Sequence, residues 1–333
     1  MTRDPRPALS AAAEDGDEAG LKRLLELGAD TDKRNSMGET PLMTAARRGN
    51  IAIVQLLLDN RADISACRGF DGQMPLHFAC AAGHEAVAEL LLSRGARIDA
   101  GADEMFWTPL HYASLHGHKG LVRLLMGKGV NIDTRDRFDG TALSYHAQHG
   151  REDMVRFLLE NGASVNSRNH RGETPLFGAA GQGREAVVRM LLDKGADPKA
   201  VAKNDETPLH DAAELTRAVS VVRLLLDLGV SVDARDDYGW TPLSNAAYNG
   251  NVEAVRLLLD KGADIETTDK GGRTPLWRAA WRGREATVKL LLERGASSKV
   301  EDNRDHLTPL GIASKEGKNA VVKLLEAHAA VNV

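Results

Sequence analysis

Apolar residues recur along the chain in two short, alternating arrangements. In the first, Leu42, Ala45 and Ala46 fall on one face at helical spacing, behind Thr40-Pro41 and ahead of Gly49. In the second, Ile53 and Val54 are followed by Leu56, Leu57 and Leu58, again at helical spacing. Thr is a good helix N-cap, and Pro suits the next position, where its missing N–H costs nothing. Gly49 ends the first helix; Gly-Ala pairs such as Gly95-Ala96, Gly162-Ala163, Gly195-Ala196 and Gly262-Ala263 follow second helices, where Gly supplies a left-handed cap. Stretches such as Asp236-Asp237-Tyr238-Gly239 make a turn back. The predicted unit is helix, turn, helix, extended turn.

The unit repeats. Thr-Pro-Leu begins at Thr40, Thr108, Thr174, Thr207, Thr241, Thr274 and Thr308, with Met74-Pro75-Leu76 and Thr141-Ala142-Leu143 filling the gaps, always 33 or 34 residues apart. A degenerate copy at Pro7-Ala8-Leu9 starts the series. The last copy ends as Glu326-Ala327-His328-Ala329-Ala330, without the third Leu or the Gly. One unit cannot bury its own apolar face. Stacking can, with each covered Leu contributing roughly 2 kcal/mol, so the pattern predicts an all-α repeat solenoid held by nearest-neighbour interfaces.

At that period, Thr108-Pro109-Leu110-His111, Thr207-Pro208-Leu209-His210 and Met74-Pro75-Leu76-His77 carry the hallmark tetrapeptide of the ankyrin repeat family, which the chain closely resembles over essentially its whole length. Tetratricopeptide repeats have a similar length but lack the Thr-Pro start and the Gly-Ala-Asp lead into the hairpin. The resemblance implies an array of about ten helix-turn-helix units with connecting hairpin turns. It forms a single ankyrin repeat domain over 1–333, with degenerate capping units at about 1–34 and 303–333. It also implies a curved stack whose hairpins and first helices form a concave face, used mostly to bind other proteins.

Composition narrows the picture. Trp, Tyr and Phe number only 4, 4 and 6, so Leu, Val and Ala must build the core, while 32 Gly serve the many reversals. The apolar runs are far shorter than the roughly 20 residues that cross a bilayer. The opening residues lead into acidic Glu14-Asp15 rather than an apolar signal core, and two cysteines, Cys67 and Cys80, cannot make a disulfide framework. These features predict a reducing, cytoplasmic or other intracellular setting. A net charge of −4 gives no general case for nucleic acid.

Several motifs resemble chemistry and fail on context. Gly181-Gln182-Gly183-Arg184-Glu185-Ala186 has dinucleotide-fingerprint letters but sits at a helix–helix turn. Gly311 to Gly317-Lys318 has too many residues between its glycines for a phosphate loop, with Asn319 in place of Ser or Thr. His84-Glu85 begins a zinc-protease motif, but Ala88 stands where the second His belongs. His77, His111 and His210 are read as turn-bonding residues, and Cys80 as a packed thiol. No metal ligands and no cofactor are expected.

Functional information should lie where repeats differ on one outward face: the fourth, seventh and eighth residues after each Thr, with the residues one and three before it as a rim. That face is polar early (Thr44, Arg47, Arg48, rimmed by Met37 and Glu39). It then turns aromatic, with Phe78, Tyr112, Leu115 and His116, rimmed by Met105 and Trp107, and later Tyr145, Gln148 and His149 beside Phe138. Gly178, Gly181 and Gln182 leave a gap. Beyond it stand Asp211 and Glu214 with Glu206, then Asn245, Tyr248 and Asn249 with Tyr238 and Trp240, then Arg278, Trp281 and Arg282 with Arg273, Trp277 being adjacent. All four Trp map to or beside this face, and Trp, Tyr and Arg dominate binding hot spots.

The expectation is therefore a non-enzymatic scaffold that takes a protein or peptide along the concave groove. Its binding residues are Trp107, Tyr112, His116, Tyr145, Gly178, Tyr238, Trp240, Tyr248, Arg278, Trp281 and Arg282. The alternative is a pocket for a small apolar or aromatic molecule near Gly178, with acid/base chemistry by His146 or His149 and by Asp211 or Glu214. The mix of Arg and Trp around Trp277 also resembles a single-strand binder, but the chain's acidity favours an acidic peptide at that end.

Overall fold

The computed structural model describes residues 8–331. Among them are twenty α-helices and no β-strand. Pro7, the start of the degenerate first copy, lies outside the described residues, as do 332 and 333. The helices come in pairs: Ala8–Asp15 (α1) with Glu18–Glu26 (α2), Pro41–Arg48 (α3) with Ile51–Asp59 (α4), Pro75–Ala82 (α5) with Glu85–Ser93 (α6), and Pro109–Leu115 (α7) with Lys119–Gly127 (α8). Next come Ala142–His149 (α9) with Glu152–Glu160 (α10), Pro175–Gly181 (α11) with Glu185–Asp193 (α12), and Pro208–Glu214 (α13) with Val219–Asp227 (α14). The last three pairs are Pro242–Asn249 (α15) with Val252–Asp260 (α16), Pro275–Arg282 (α17) with Glu285–Glu293 (α18), and Pro309–Lys315 (α19) with Asn319–Val331 (α20).

Local chemistry sets these boundaries. Thr40, Thr241, Thr274 and Thr308 accept from the backbone N–H three residues on, at 3.1–3.3 Å, and Pro follows each. Gly49, Gly83, Gly250 and Gly283 close first helices with φ between 68° and 88°, where a β-carbon would be strained. The seventh unit has no such Gly; Thr216–Ala218 makes a 3₁₀ turn instead, which accommodates its extra residue.

Among the described residues two compact units emerge: 8–143 with Arg156–Ala163, and Ser144–Val155 with 164–331. Within the first, α1, α3, α5 and α7 pack in succession; within the second, α11, α13, α15, α17 and α19 do so. Second helices form a parallel row, through α2, α4, α6 and α8 in one unit and α12, α14, α16, α18 and α20 in the other. The cores are Leu, Val and Ala, for example Leu42, Leu57, Leu76 and Leu91 in one unit and Leu176, Leu191, Leu225 and Leu258 in the other.

Polar interlocks join successive repeats. His77 Nδ1 accepts from Met74 N–H at 3.0 Å while Nε2 reaches the Ala100 carbonyl at 2.8 Å; His210 does the same with Thr207 (3.1 Å) and Trp240 (3.2 Å). Nδ1 must accept, so Nε2 carries the proton and donates. The residue after the interhelix Gly provides a second tie. His84, Arg184 and Arg284 reach back to the carbonyls of Arg47, Gln148 and Tyr248 at 3.0, 3.3 and 3.1 Å.

Candidate functional site

Part of the early polar face is absorbed into the fold, while Met37 and Arg48 stay exposed. Thr44 is buried, and Glu39, 2% exposed, is held by Arg47 at 3.3 Å and Arg68 at 3.2 Å. Arg47 also pairs with Glu14, as does Arg48. The spacing places these residues on the outward face; Thr44 and Glu39 are instead buried, and the charges of Arg47 and Arg48 are paired with Glu14 and Glu39.

In the fourth repeat, Trp107 and Ala102 exchange backbone hydrogen bonds at 2.8 and 2.9 Å, closing a hairpin in which Asp103 and Phe106 take left-handed φ. Trp107 is half-buried, stacked on His111 with centroids 6.0 Å apart and edge-on to Tyr112 at 5.9 Å. Tyr112 is buried. Its hydroxyl donates to Asp103 Oδ2 at 2.6 Å and accepts from Gln73 at 2.9 Å. Burial, then the bond to Asp103, raises its pKa above the ordinary phenol value. His116 is exposed, its ring 6.2 Å from that of His118.

The second unit holds two juxtaposed features. The first is an aromatic and cationic cluster on α15, α17 and the hairpin before α15. Ring centroids of Trp240 and Tyr248 lie 5.3 Å apart, those of Tyr248 and Trp281 5.7 Å, and those of Trp281 and Trp277 5.7 Å. Trp240, Tyr248 and Trp281 are half-buried. Arg282 is exposed and lies over Tyr248 at 4.8 Å; Tyr238, at the hairpin tip, is 68% exposed. Trp277 is turned inward: it is 3% exposed, and its Nε1–H donates to the Leu307 carbonyl at 2.9 Å.

Arg278 is not at the surface. It is 1% exposed, paired with Asp269, and set under Trp240 with its guanidinium carbon 3.1 Å from the ring centroid. Its Nε and Nη1 make no hydrogen bond, so the ring face is what stabilises that side of the cation. Burial pushes its pKa down to about 10, against the opposing pull of Asp269. Asp269 Oδ1 also accepts from the Gly271 and Arg273 N–H groups at 2.7 and 3.0 Å, so the pair fixes the hairpin before α17.

The second feature is a cavity of about 420 Å³ lined by Gln148, Arg171, Glu173, Phe177, Gly178, Gly181, Gln182, Glu206, Asp211, Glu214 and Leu215. Its floor is open because α11 lacks side chains there. A β-carbon on Gly178 would lie 3.1 Å from that of Gln148. Desolvation raises the Asp211 carboxyl well above the usual range, with Glu206, Glu214 and Glu173 adding to it and Arg171 opposing. Glu214 is raised for the same reasons, burial first and Glu206 second.

Of the four acid/base candidates, Asp211 and Glu214 line this cavity and the two histidines do not. His146 is buried. His149 is exposed, stacked on Tyr145 at 4.1 Å and bonded through Nδ1 to the Tyr145 carbonyl at 2.8 Å. Arg171 and Glu173 were not singled out from the sequence. They stand three and one residues before Thr174, the same rim register that had marked Tyr238 and Trp240. Among the described residues, no group of three or more His, Cys, Asp and Glu could hold a metal ion, and no helix is long and apolar enough to cross a membrane.

A family model described as ankyrin repeats (3 copies) matches residues 9–102, 62–136, 110–202, 143–236, 199–269 and 266–333.

Proposed function

The chain belongs to the ankyrin repeat family, whose repeats are generally protein–protein interaction scaffolds, and on that premise we propose that it captures a protein partner on the first-helix face of its second unit. The observation that carries this reading is the half-buried ladder Trp240–Tyr248–Trp281 capped by Arg282. Rigid aromatic surface beside an exposed guanidinium is the composition of binding hot spots. Tyr238 extends the surface at its rim; in the fourth repeat Trp107 and His116 stand at the registers of Trp240 and Arg282, while Tyr112 and Tyr145 share the register of buried Arg278. Panning a random dodecapeptide display library tests it. Enrichment on the wild type that falls on Trp281→Ala, with helical content unchanged, supports the reading; equal enrichment on both would sink it.

The acid/base alternative draws support from the raised Asp211 carboxyl beside Gly178. Against it, neither histidine lines the cavity, and the lining offers no hydroxyl, thiol or amine to pair with a carboxylate base. Recognition, with the scaffold doing no chemistry, is the better account.

A further inference from the structure

We propose that the cavity beside Gly178 and Gly181 receives one lysine or arginine side chain of the protein partner, its cationic head set against Asp211 with Glu214, Glu206 and Glu173 around it. This rests on the scaffold reading and specifies the partner's chemistry.

The charge balance comes first. Four carboxyl groups line the cavity and face a single lining guanidinium, Arg171, which is already paired with Glu173 at 3.1 Å. Three of the carboxylates have donors of their own. Glu173 accepts from Asn169 at 2.9 Å, Glu206 from Asn204 at 2.6 Å, and Glu214 from Asn245 at 3.3 Å.

Asp211 differs from them. Its carboxyl accepts no hydrogen bond, although protein encloses it densely and the part left open lines the cavity. A carboxyl so placed is destabilised as an anion unless a cation or donor joins it. The structure supplies the group that needs a partner and the space for one.

The walls suit an aliphatic stem as well as a charged head. Leu215 contributes apolar surface, Phe177 backs the wall from within the core, and Gly178 and Gly181 keep the floor open, so a lysine or arginine stem can lie along the cavity with its head inward. A volume of about 420 Å³ is too large for a bare ion and falls within the roughly 300–1,000 Å³ of ligand-sized sites.

The register ties the cavity to the aromatic ladder. Asn245, which donates to Glu214, sits on α15 three residues before Tyr248, so the carboxylates and the aromatic shelf occupy the faces of adjacent first helices. The matching ligand is a peptide segment carrying one basic residue and, apart from it, an apolar or aromatic one.

The test pans one random dodecapeptide display library on the wild type, on Asp211→Asn and on Trp281→Ala. The expected wild-type consensus has a fixed Lys or Arg at constant spacing from an apolar residue. Asp211→Asn should lose the basic position and keep the apolar one, and Trp281→Ala the reverse. Synthetic peptides of the winning sequence should bind roughly thirtyfold or more tightly than a copy with norleucine in place of the basic residue. A consensus without a basic residue, or one that Asp211→Asn retains, overturns the cation site and leaves the scaffold reading standing. Wild-type enrichment that matches an unrelated control protein overturns both. Displacement of the peptide by equimolar free spermidine would assign the cavity to a small polyamine and overturn the peptide proposal.

Discussion

Gly181 faces Asp211 so closely that a β-carbon on the glycine would lie 3.1 Å from the Asp211 Cβ. The absent side chain keeps the Asp211 carboxyl open to the cavity. Gly181 has no left-handed φ, so a larger residue there is opposed by the tight contact with Asp211 and not by backbone strain. Gly181→Leu should fill it: binding of the basic peptide is lost, while the thermal melt stays within a few degrees because a helical Gly→Leu gain of under about 1 kcal/mol offsets the tight contact. Titration of the selected peptide beside a melting curve checks both halves.

Asp211 should make the protein less stable at neutral pH than its amide does. Its folded pKa is raised above the unfolded value, so the folded chain binds the extra proton, and stability falls as pH rises from about 4 through the raised value. Glu206, Glu214 and Glu173 push in that direction and Arg171 against it. Asp211→Asn therefore melts higher at pH 7, with the advantage shrinking toward pH 4. Melting curves of both proteins across that range decide it.

The tetrapeptide histidines act in the opposite sense. Burial lowers the pKa of His77 and His210, and brings that of His111 down to about 4. The unfolded chain then binds more protons, so the stabilisation is intact above about 6.5 and is lost as pH falls toward 4. His111 alone accounts for roughly 3 kcal/mol of that loss. His111→Gln, which keeps an acceptor at the cap, should flatten the slope between those pH values in urea titrations.

Removing one member of the Arg278–Asp269 pair strands a buried charge. Arg278→Ala should cost about 3–5 kcal/mol, and Arg278→Met less than Asp269→Ala because Met fills the space under Trp240 without leaving a cation. Urea unfolding followed by Trp fluorescence reports it.

Two neighbouring tryptophans should separate binding from stability. Trp281→Ala weakens peptide capture by more than about 1–2 kcal/mol with little change in melting. Trp277→Ala empties a buried site and orphans the Leu307 carbonyl, costing about 3–5 kcal/mol of stability. Equal effects of the two variants on capture at matched folded fraction would contradict the assignment of Trp281 to the recognition surface.

The sequence by itself determined the period, the helix pairs and their ends, because Thr caps, Pro at N1 and left-handed Gly act within four residues of where they stand. It also marked the register at which repeats differ, and with it the Gly178–Gly181 gap and the Trp240–Tyr248–Trp281 series. Only the tertiary structure decided which of those side chains face out. Arg278 and Trp281 obey the same spacing rule, yet Asp269 and Trp240 draw Arg278 inward, Leu307 holds Trp277 from 30 residues away, and Glu14 with Arg68 takes up the charges at Arg47 and Glu39. Those outcomes depend on what the adjacent repeat presents across a gap of about 33 residues, a pairing that helical periodicity does not encode. The unpartnered state of Asp211 is of the same kind: its neighbours found donors in nearby asparagines, and it did not.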